Sequence, residues 1–123
     1  MTKSVVIAVD AMGGENAPNK IILGIAEYLK NNKNVFFRIF GPKSILEKII
    51  NKIDINKEFY EIINCEETVN ENDTPLVAAK KKNTSMWKSV NDVKEKESNA
   101  IVSAGNTGAL FVISKLNIDM IEN

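Results

Sequence analysis

The chain has 123 residues, of which 44% are hydrophobic and 26% charged, a composition typical of one packed globular domain. Its 16 basic and 16 acidic residues cancel, so it lacks the positive surface expected of a general nucleic-acid binder. It has no histidine and a single cysteine, Cys65. This chain alone therefore cannot build a Ser-His-Asp triad, a Cys-His pair, an internal disulfide or a histidine or multi-thiolate metal site, and we expect no metal and no cofactor.

No targeting or membrane-spanning segment is expected. The apolar run over residues 5–9, which ends at Asp10, is too short for a secretory signal. Longer apolar stretches also fall well below the roughly 20 residues needed to cross a bilayer. We therefore expect a cytoplasmic protein in a reducing compartment, with any membrane contact peripheral.

The first predicted element is a strand over residues 3–10, apolar enough to be buried on both faces. A glycine-containing loop follows over residues 11–16. Asn16 is then predicted to cap a helix over residues 17–31, with Pro18 in its first turn.

The same alternation continues along the chain. A strand over residues 35–40 ends at Gly41-Pro42, and a third short strand is predicted over residues 59–63. Between them lies a helix whose apolar stripe comprises Ile45, Leu46, Ile49, Ile50 and Ile53. Residues 64–74 form a polar connection that ends at Thr74, the predicted start of a helix.

A short helix is predicted over residues 75–82. Thr84 or Asn83 is predicted to cap the next helix, whose inner face carries Met86, Trp87, Val90 and Val93. A fourth strand over residues 99–103 and a helix over residues 108–116 complete the pattern. Because strands and helices alternate throughout, we expect a parallel sheet covered by helices on both faces.

The last predicted helix, residues 108–116, is apolar almost all round, so most of its sides should be buried. Only seven residues follow Leu116. We therefore expect residues 1–123 to be the N-terminal portion of a single α/β enzyme whose C-terminal remainder is absent, with the missing cover supplied by later sequence or a partner chain.

The segment with the clearest chemistry joins the fourth strand to the last helix and reads Ser103-Ala104-Gly105-Asn106-Thr107-Gly108. Amide hydrogens at a helix start, together with the positive end of its dipole, attract anions, and the glycines allow a ligand to approach the backbone. Two interpretations stay open: an anion site, or a plain turn in which Asn106 or Thr107 caps the helix. The lysine and hydroxyl ending of a P-loop is missing.

Two further segments are candidates. The loop after the first strand reads Asp10-Ala11-Met12-Gly13-Gly14, and it would share a cleft with residues 103–108 if strands one and four were neighbours. Asp10 would orient a ligand or a loop amide, or simply cap the turn. Lys80-Lys81-Lys82 precedes Thr84-Ser85-Met86, so the lysines either form a solvated face or reach an anion held there.

Together these segments resemble the bacterial phosphate acyltransferases of phospholipid synthesis. That family opens with Asp-Ala-Met-Gly-Gly-Asp, matched at residues 10–14 with Glu15 as the last residue. It continues with a basic run before Ser-Ser-Met, matched at residues 80–86 with Thr84 replacing the first serine. Its Ser-Ala-Gly-Asn-Thr-Gly-Ala is matched in full at residues 103–109.

The resemblance implies a truncated three-layer α/β/α fold with a mostly parallel sheet, related to isocitrate and isopropylmalate dehydrogenases and to phosphotransacetylase. It also implies transfer of a fatty acyl group from acyl carrier protein to inorganic phosphate, and a homodimer associated peripherally with the inner face of the cell membrane. A non-catalytic binding module derived from that enzyme is the alternative.

The resemblance and the chemistry together assign roles to individual residues. Asn106 and Lys82 are the expected catalytic residues. The expected phosphate or oxyanion contacts are Asp10, Gly13, Gly14, Ser85, Ser103, Gly105, Thr107 and Gly108.

Overall fold

The computed structural model describes residues 4–117, which form four strands and five α-helices. The strands are β1 (Val5–Asp10), β2 (Val35–Gly41), β3 (Tyr60–Asn64) and β4 (Ala100–Val102). The helices are α1 (Asn19–Leu29), α2 (Lys43–Ile53), α3 (Pro75–Lys80), α4 (Ser85–Lys94) and α5 (Thr107–Asn117), with a 3-10 turn at Lys57–Phe59.

All strand pairs in this part of the chain are parallel, in the order β3-β2-β1-β4. Ala8 in β1 pairs with Arg38 in β2 on one side and with Ile101 in β4 on the other. The predicted neighbourhood of strands one and four is thus confirmed. Because the strands are parallel, the loops after β1 and β4 leave from the same edge of the sheet.

Helices cover both faces of the sheet, which confirms the three-layer α/β/α architecture. On one face, α1 and α2 pack against β1 and β2 in a core that includes Ile22, Leu46, Val9 and Ile39. On the opposite face, Ala8 and Phe40 pack with Cys65. The helices α3, α4 and α5 enclose a further cluster of Ala78, Met86, Val90, Ala109 and Ile113.

Hydrogen bonds at helix starts separate the correct cap predictions from the wrong one. Thr74 accepts a hydrogen bond from Val77 N at 3.3 Å, and Thr84 accepts one from Trp87 N at 3.1 Å, as predicted. The prediction for Asn16 is wrong: α1 begins at Asn19, and no side chain caps it. Asn16 instead has a φ of 64°, and its carbonyl accepts from Lys20 N at 3.1 Å, so it forms a turn before the helix.

Burial also differs from the prediction in β1, β4 and α5. Only the second half of β1 is buried, and Val5 stays 49% exposed, so the strand is not covered on both faces throughout its length. The fourth strand is shorter than predicted and Val102 is 50% exposed. In α5, Ala109 and Ile113 are buried, while Phe111 is 65% exposed. Within residues 4–117, no helix is long and apolar enough to cross a membrane.

Candidate functional site at the carboxyl edge of the sheet

Asp10 lies at the end of β1 and joins three segments that are far apart in sequence. Its carboxylate accepts hydrogen bonds from Ser85 Oγ at 2.5 Å, Ser103 Oγ at 2.9 Å and Met12 N at 3.2 Å. Asp10 is 2% exposed and Ser85 is fully buried. A buried carboxylate is stable only with such partners. Asp10 and Ser85 therefore hold the loops in place, in agreement with the loop-orienting alternative for Asp10.

The loop after β1 and the loop after β4 touch through their backbones. A Cβ atom added to Gly13 would lie 2.8 Å from Gly105 N and 2.8 Å from Asp10 Oδ2. Gly14 has a φ of +95°, and an added Cβ would lie 2.9 Å from Ala104 O. Glycine is thus required at both positions, by space at Gly13 and by space and backbone conformation at Gly14.

Asn106 caps α5 and also fastens a loop against it. Its Oδ1 accepts a hydrogen bond from Ala109 N at 3.1 Å, and its Nδ2 donates to Asp73 O at 3.0 Å. The cap alternative is therefore confirmed for Asn106. A cap and an anion site are compatible, because the first turn of any α-helix has more N–H groups than one side chain can satisfy.

The loop held by Asn106 has its own internal support. Asp73 accepts hydrogen bonds from Lys81 Nζ at 2.9 Å and from Asn70 N at 3.0 Å. The hydrogen bond from Lys81, with that from Asn70, lowers the pKa of the Asp73 carboxyl. The sequence offered no signal for this role, because residues 64–74 are distinguished only by their polarity.

These loops surround a cleft of about 390 Å³, which we call the loop cleft. Its lining comes from the loops after β1 and β4 and from the loop before α3, and comprises Met12, Gly14, Glu15, Val69, Glu71, Ala104, Gly105, Asn106 and Thr107. Asn106 and Thr107, at the start of α5, are part of this lining. The N-terminal end of a helix, with its unsatisfied amides and positive dipole end, therefore borders the cleft.

The charges around the loop cleft differ from those expected. The lining includes two carboxylates, Glu15 and Glu71, and none of Lys80, Lys81 and Lys82. Lys81 is paired with Asp73, and Lys82 is exposed with its Nζ 6.0 Å from the ring centroid of Trp87. The structure therefore does not bring Lys82 to the loop cleft, and its catalytic role stays a prediction.

The remaining predicted contacts lie at or near the cleft. Gly105 and Thr107 line it directly, as does Gly14. Gly13 and Ser103 do not line the cleft, but both contact Asp10, which holds the two loops together. Gly108 lies against Pro75, the first residue of α3. Within residues 4–117, no cluster of three or more His, Cys, Asp or Glu side chains is arranged to hold a metal ion.

Fold and cleft together define a class: a three-layer α/β/α protein that presents a backbone-lined pocket at the carboxyl edge of a parallel sheet. Comparison with known families makes the assignment specific. The model of the family described as "Fatty acid synthesis protein" matches residues 5–123, and the chain belongs to this family.

Individual relatives carry one functional name. The chain is 52% identical over 124 residues to the phosphate acyltransferase of Pelagibacter ubique, a match that covers 100% of this chain and 37% of the relative. It is 45% identical to the phosphate acyltransferase of Neorickettsia sennetsu, with 98% and 36% covered. For that of Clostridium acetobutylicum, the identity is 36%, with 95% and 36% covered. The chain thus spans about a third of the length of these relatives.

Proposed function

We propose that this chain supplies the loop cleft of an acyltransferase of phospholipid synthesis, which transfers a fatty acyl group from acyl carrier protein to inorganic phosphate. The observation that carries the proposal is the start of α5 opening into a glycine-lined cleft that Asp10 holds together. The name phosphate acyltransferase, borne by relatives up to 52% identical, supports the same reaction.

The reaction suits a chain without histidine. A phosphate oxygen attacks the thioester carbonyl carbon, the carbon–sulfur bond breaks, and acyl phosphate forms. The thiolate of the carrier leaves with the electron pair and takes a proton from solvent. Near neutral pH a substantial fraction of phosphate is already the dianion, so the step depends on positioning and on donors for the developing oxyanion rather than on a strong base.

Roles follow from where the residues lie. Gly105 and Thr107 line the cleft, and the amides of residues 107 and 108 at the start of α5 are proposed to hold phosphate or the oxyanion. The Gly105 amide donates a long hydrogen bond of 3.3 Å to Ser103 Oγ, which a ligand would have to replace, and Asn106 sets the first turn of α5. Glu15 and Glu71 would repel a dianion, so the bound state needs a nearby cation. Lys82 is the proposed source, by moving from the Trp87 ring toward the cleft.

The cellular setting belongs to the same proposal. We propose a cytoplasmic homodimer that receives acyl carrier protein and phosphate, binds no nucleic acid and contacts the inner face of the cell membrane peripherally. The formal net charge of zero supports the proposal that nucleic acid is not a partner.

A binding module without chemistry is the second candidate, and one observation favours it. Both ends of the Asn106 amide make contacts within the fold, which is the pattern of a structural residue. The candidate predicts that phosphate binds the loop cleft weakly or not at all, and that the cleft has no role in turnover.

The test uses a chimera that joins this chain to the remaining two thirds of the Pelagibacter ubique relative. We expect the chimera to release free acyl carrier protein from its fatty-acylated form only when phosphate is present. Asn106→Ala should lower that rate by more than about tenfold, or roughly 1.4 kcal/mol of barrier. A smaller loss would show that the first turn of α5, which Asn106 sets, does not support the reaction.

Asn106→Ala also removes a helix cap, so a matched control is required. Asn56→Ala removes a comparable cap, the 3.0 Å hydrogen bond from Glu58 N, at the 3-10 turn before β3. If both variants lose stability similarly but only Asn106→Ala loses rate, the loop cleft is the reaction site. If the wild-type chimera folds and shows no phosphate-dependent release, the proposed function is wrong.

A further inference from the structure

A second cleft adjoins the loop cleft, with which it shares Glu15 and Ala104, and runs along the sheet face that α1 covers. We call it the sheet groove; its volume is about 530 Å³. Its floor is formed by Ile7 and Val9 of β1, Phe37 of β2 and Val102 of β4. One wall is α1, which contributes Lys20, Ile21, Gly24, Ile25 and Tyr28, and the groove ends at Gly13, Glu15 and Ala104.

The groove is apolar along its length and lies where a parallel sheet is normally covered. Its charged residues are Glu15 and Lys20, both near the loops at one end. Val102 and Tyr28 remain 50% and 48% exposed. Parallel sheets bury both faces under helices, so an apolar strip beside α1 and over β4 is the place of one further helix.

Gly24 is the feature that fits the groove to a helix. It lies in the interior of α1, where glycine costs roughly 1 kcal/mol relative to alanine. An added Cβ would contact nothing within 4 Å, so packing among the described residues does not require glycine there. The bare backbone instead lets another element approach α1 closely across the groove.

We propose that the sheet groove receives an α-helix from the part of the family polypeptide that this chain does not span. Relatives have nearly two thirds of their length outside the matched region, which supplies the occupant. Within residues 4–117, β4 pairs with β1 alone, so the strand beneath the groove also presents an edge that further sequence could join.

Cysteine labelling of Gly24→Cys tests this proposal directly. In the isolated chain the background labelling is low, because Cys65 is buried and burial raises the pKa of its thiol to about 11. In the chimera, any cysteine of the added segment is first replaced by serine. In the isolated chain, the new thiol should react with a maleimide freely. In the chimera, protection by the docked helix should slow labelling by more than about tenfold. Ser44→Cys, on the exposed start of α2, is the matched control and should label equally in both proteins.

Each alternative gives a different result. Equal labelling of Gly24→Cys in the chain and a folded chimera overturns the proposal. So does protection in the isolated chain that rises with its concentration, which would assign the groove to a second copy. Protection of the isolated chain by dodecanoate, without protection in the chimera, would assign it to a fatty acyl chain instead.

A second variant keeps the test independent of labelling chemistry. Gly24→Leu fills the groove with a good helix former, so it should leave the unfolding midpoint of the isolated chain unchanged or higher. In the chimera the same change should lower the midpoint, because the helix is displaced. If the chimera does not fold, the two pieces co-expressed as separate chains allow the same comparison, and failure to copurify overturns the proposal. None of these readouts depends on acyl transfer.

Discussion

Asp10 Oδ1 accepts a 2.5 Å hydrogen bond from Ser85 Oγ, although the two residues lie 75 positions apart. The contact joins the end of β1 to the start of α4 inside the protein, because Asp10 is 2% exposed and Ser85 fully buried. The same carboxylate reaches Ser103 after β4. Three segments with separate sequence motifs therefore converge on one side chain.

Asp10→Asn should destabilise the fold through this junction. The carboxylate accepts from two hydroxyls and one backbone amide, and hydrogen bonds to a charged group contribute about 1.5–3 kcal/mol each in net stability. We expect a loss of about 1–3 kcal/mol in urea unfolding, since the amide keeps one acceptor. Asp54→Asn, at an exposed helix end, should change stability by less than about 0.5 kcal/mol. Equal losses of unfolding free energy in the two variants would contradict the conclusion that Asp10 holds the three segments together.

Gly13→Ala should separate the loops after β1 and β4. Its new Cβ would lie 2.8 Å from the backbone nitrogen of Gly105, and backbone cannot yield as a flexible side chain does. We expect a loss of about 1–3 kcal/mol, typical of overpacking. Gly24→Ala is the matched control: its Cβ meets nothing within 4 Å, so it should gain up to about 1 kcal/mol from helix propensity. Thermal unfolding of both variants of the isolated chain measures the contrast, and in that chain a loss at Gly24 or none at Gly13 would refute the prediction.

Arg38→Lys should lower the stability of the fold, because Arg38, the only arginine of the chain, forms an ion pair with Asp92 in α4. Its Nε and Nη2 donate to the Asp92 carboxylate at 2.8 and 3.0 Å, and Asp92 is buried. This hydrogen bonding raises the pKa of Arg38. Lysine cannot make the paired contact, so we expect a loss of about 1–3 kcal/mol in chemical unfolding.

A surface ion pair provides the comparison. Lys30 and Glu27 lie 2.9 Å apart with side chains 68% and 73% exposed. Lys30→Ala should therefore change stability by less than about 1 kcal/mol. If Arg38→Lys behaves like this exposed pair, Asp92 does not anchor α4 to β2.

Because the Cys65 thiol is buried, we expect the free energy of unfolding to fall at alkaline pH. Burial raises the pKa of its thiol to about 11, above the ordinary value, so the folded chain keeps the proton that the unfolded chain releases. Stability from this group is constant below about pH 8.5 and falls between there and about pH 11, by up to about 1.4 kcal/mol per pH unit. Urea unfolding at pH 8 and pH 10 measures the slope.

Cys65→Ala isolates the thiol from the lysines and tyrosines that also titrate in this range. The difference in unfolding free energy between wild type and variant should shrink as the pH rises. A difference that stays constant would show that the thiol ionises alike in the folded and unfolded chains.

The local elements were largely predictable from the sequence. The apolar stripes of α1 and α2 and the caps at Thr74 and Thr84 follow from spacing and from one hydrogen bond between near neighbours. The prediction that Asn16 caps α1 failed because a helix can also begin without a side-chain cap. The chain turns at Asn16, with a φ of 64°, and α1 starts three residues later. Nothing local distinguishes these outcomes.

The residues of the candidate site were likewise predictable only in part. Residues 103–108 were found from their order in the sequence, because a strand, glycines and a helix start must be contiguous to form such a loop. Sequence reasoning missed Glu71, which lines the loop cleft, and Asp73, which contacts Asn106 and Lys81. Both lie in a polar connection whose path depends on those contacts. Lys82 was expected at the cleft because it ends a lysine run that precedes Thr84-Ser85-Met86, yet its ammonium group lies near the Trp87 ring.

Residue type and short-range spacing were sufficient to predict the alternation of strands and helices and to reveal the motifs that mark the family. The lack of histidine likewise excludes histidine chemistry in this chain. The junction of Asp10, Ser85 and Ser103, and the position of β1 between β2 and β4, are seen only in the folded chain. Strand order, and the burial of a carboxylate among distant hydroxyls, follow from how the whole sheet packs and not from any local pattern.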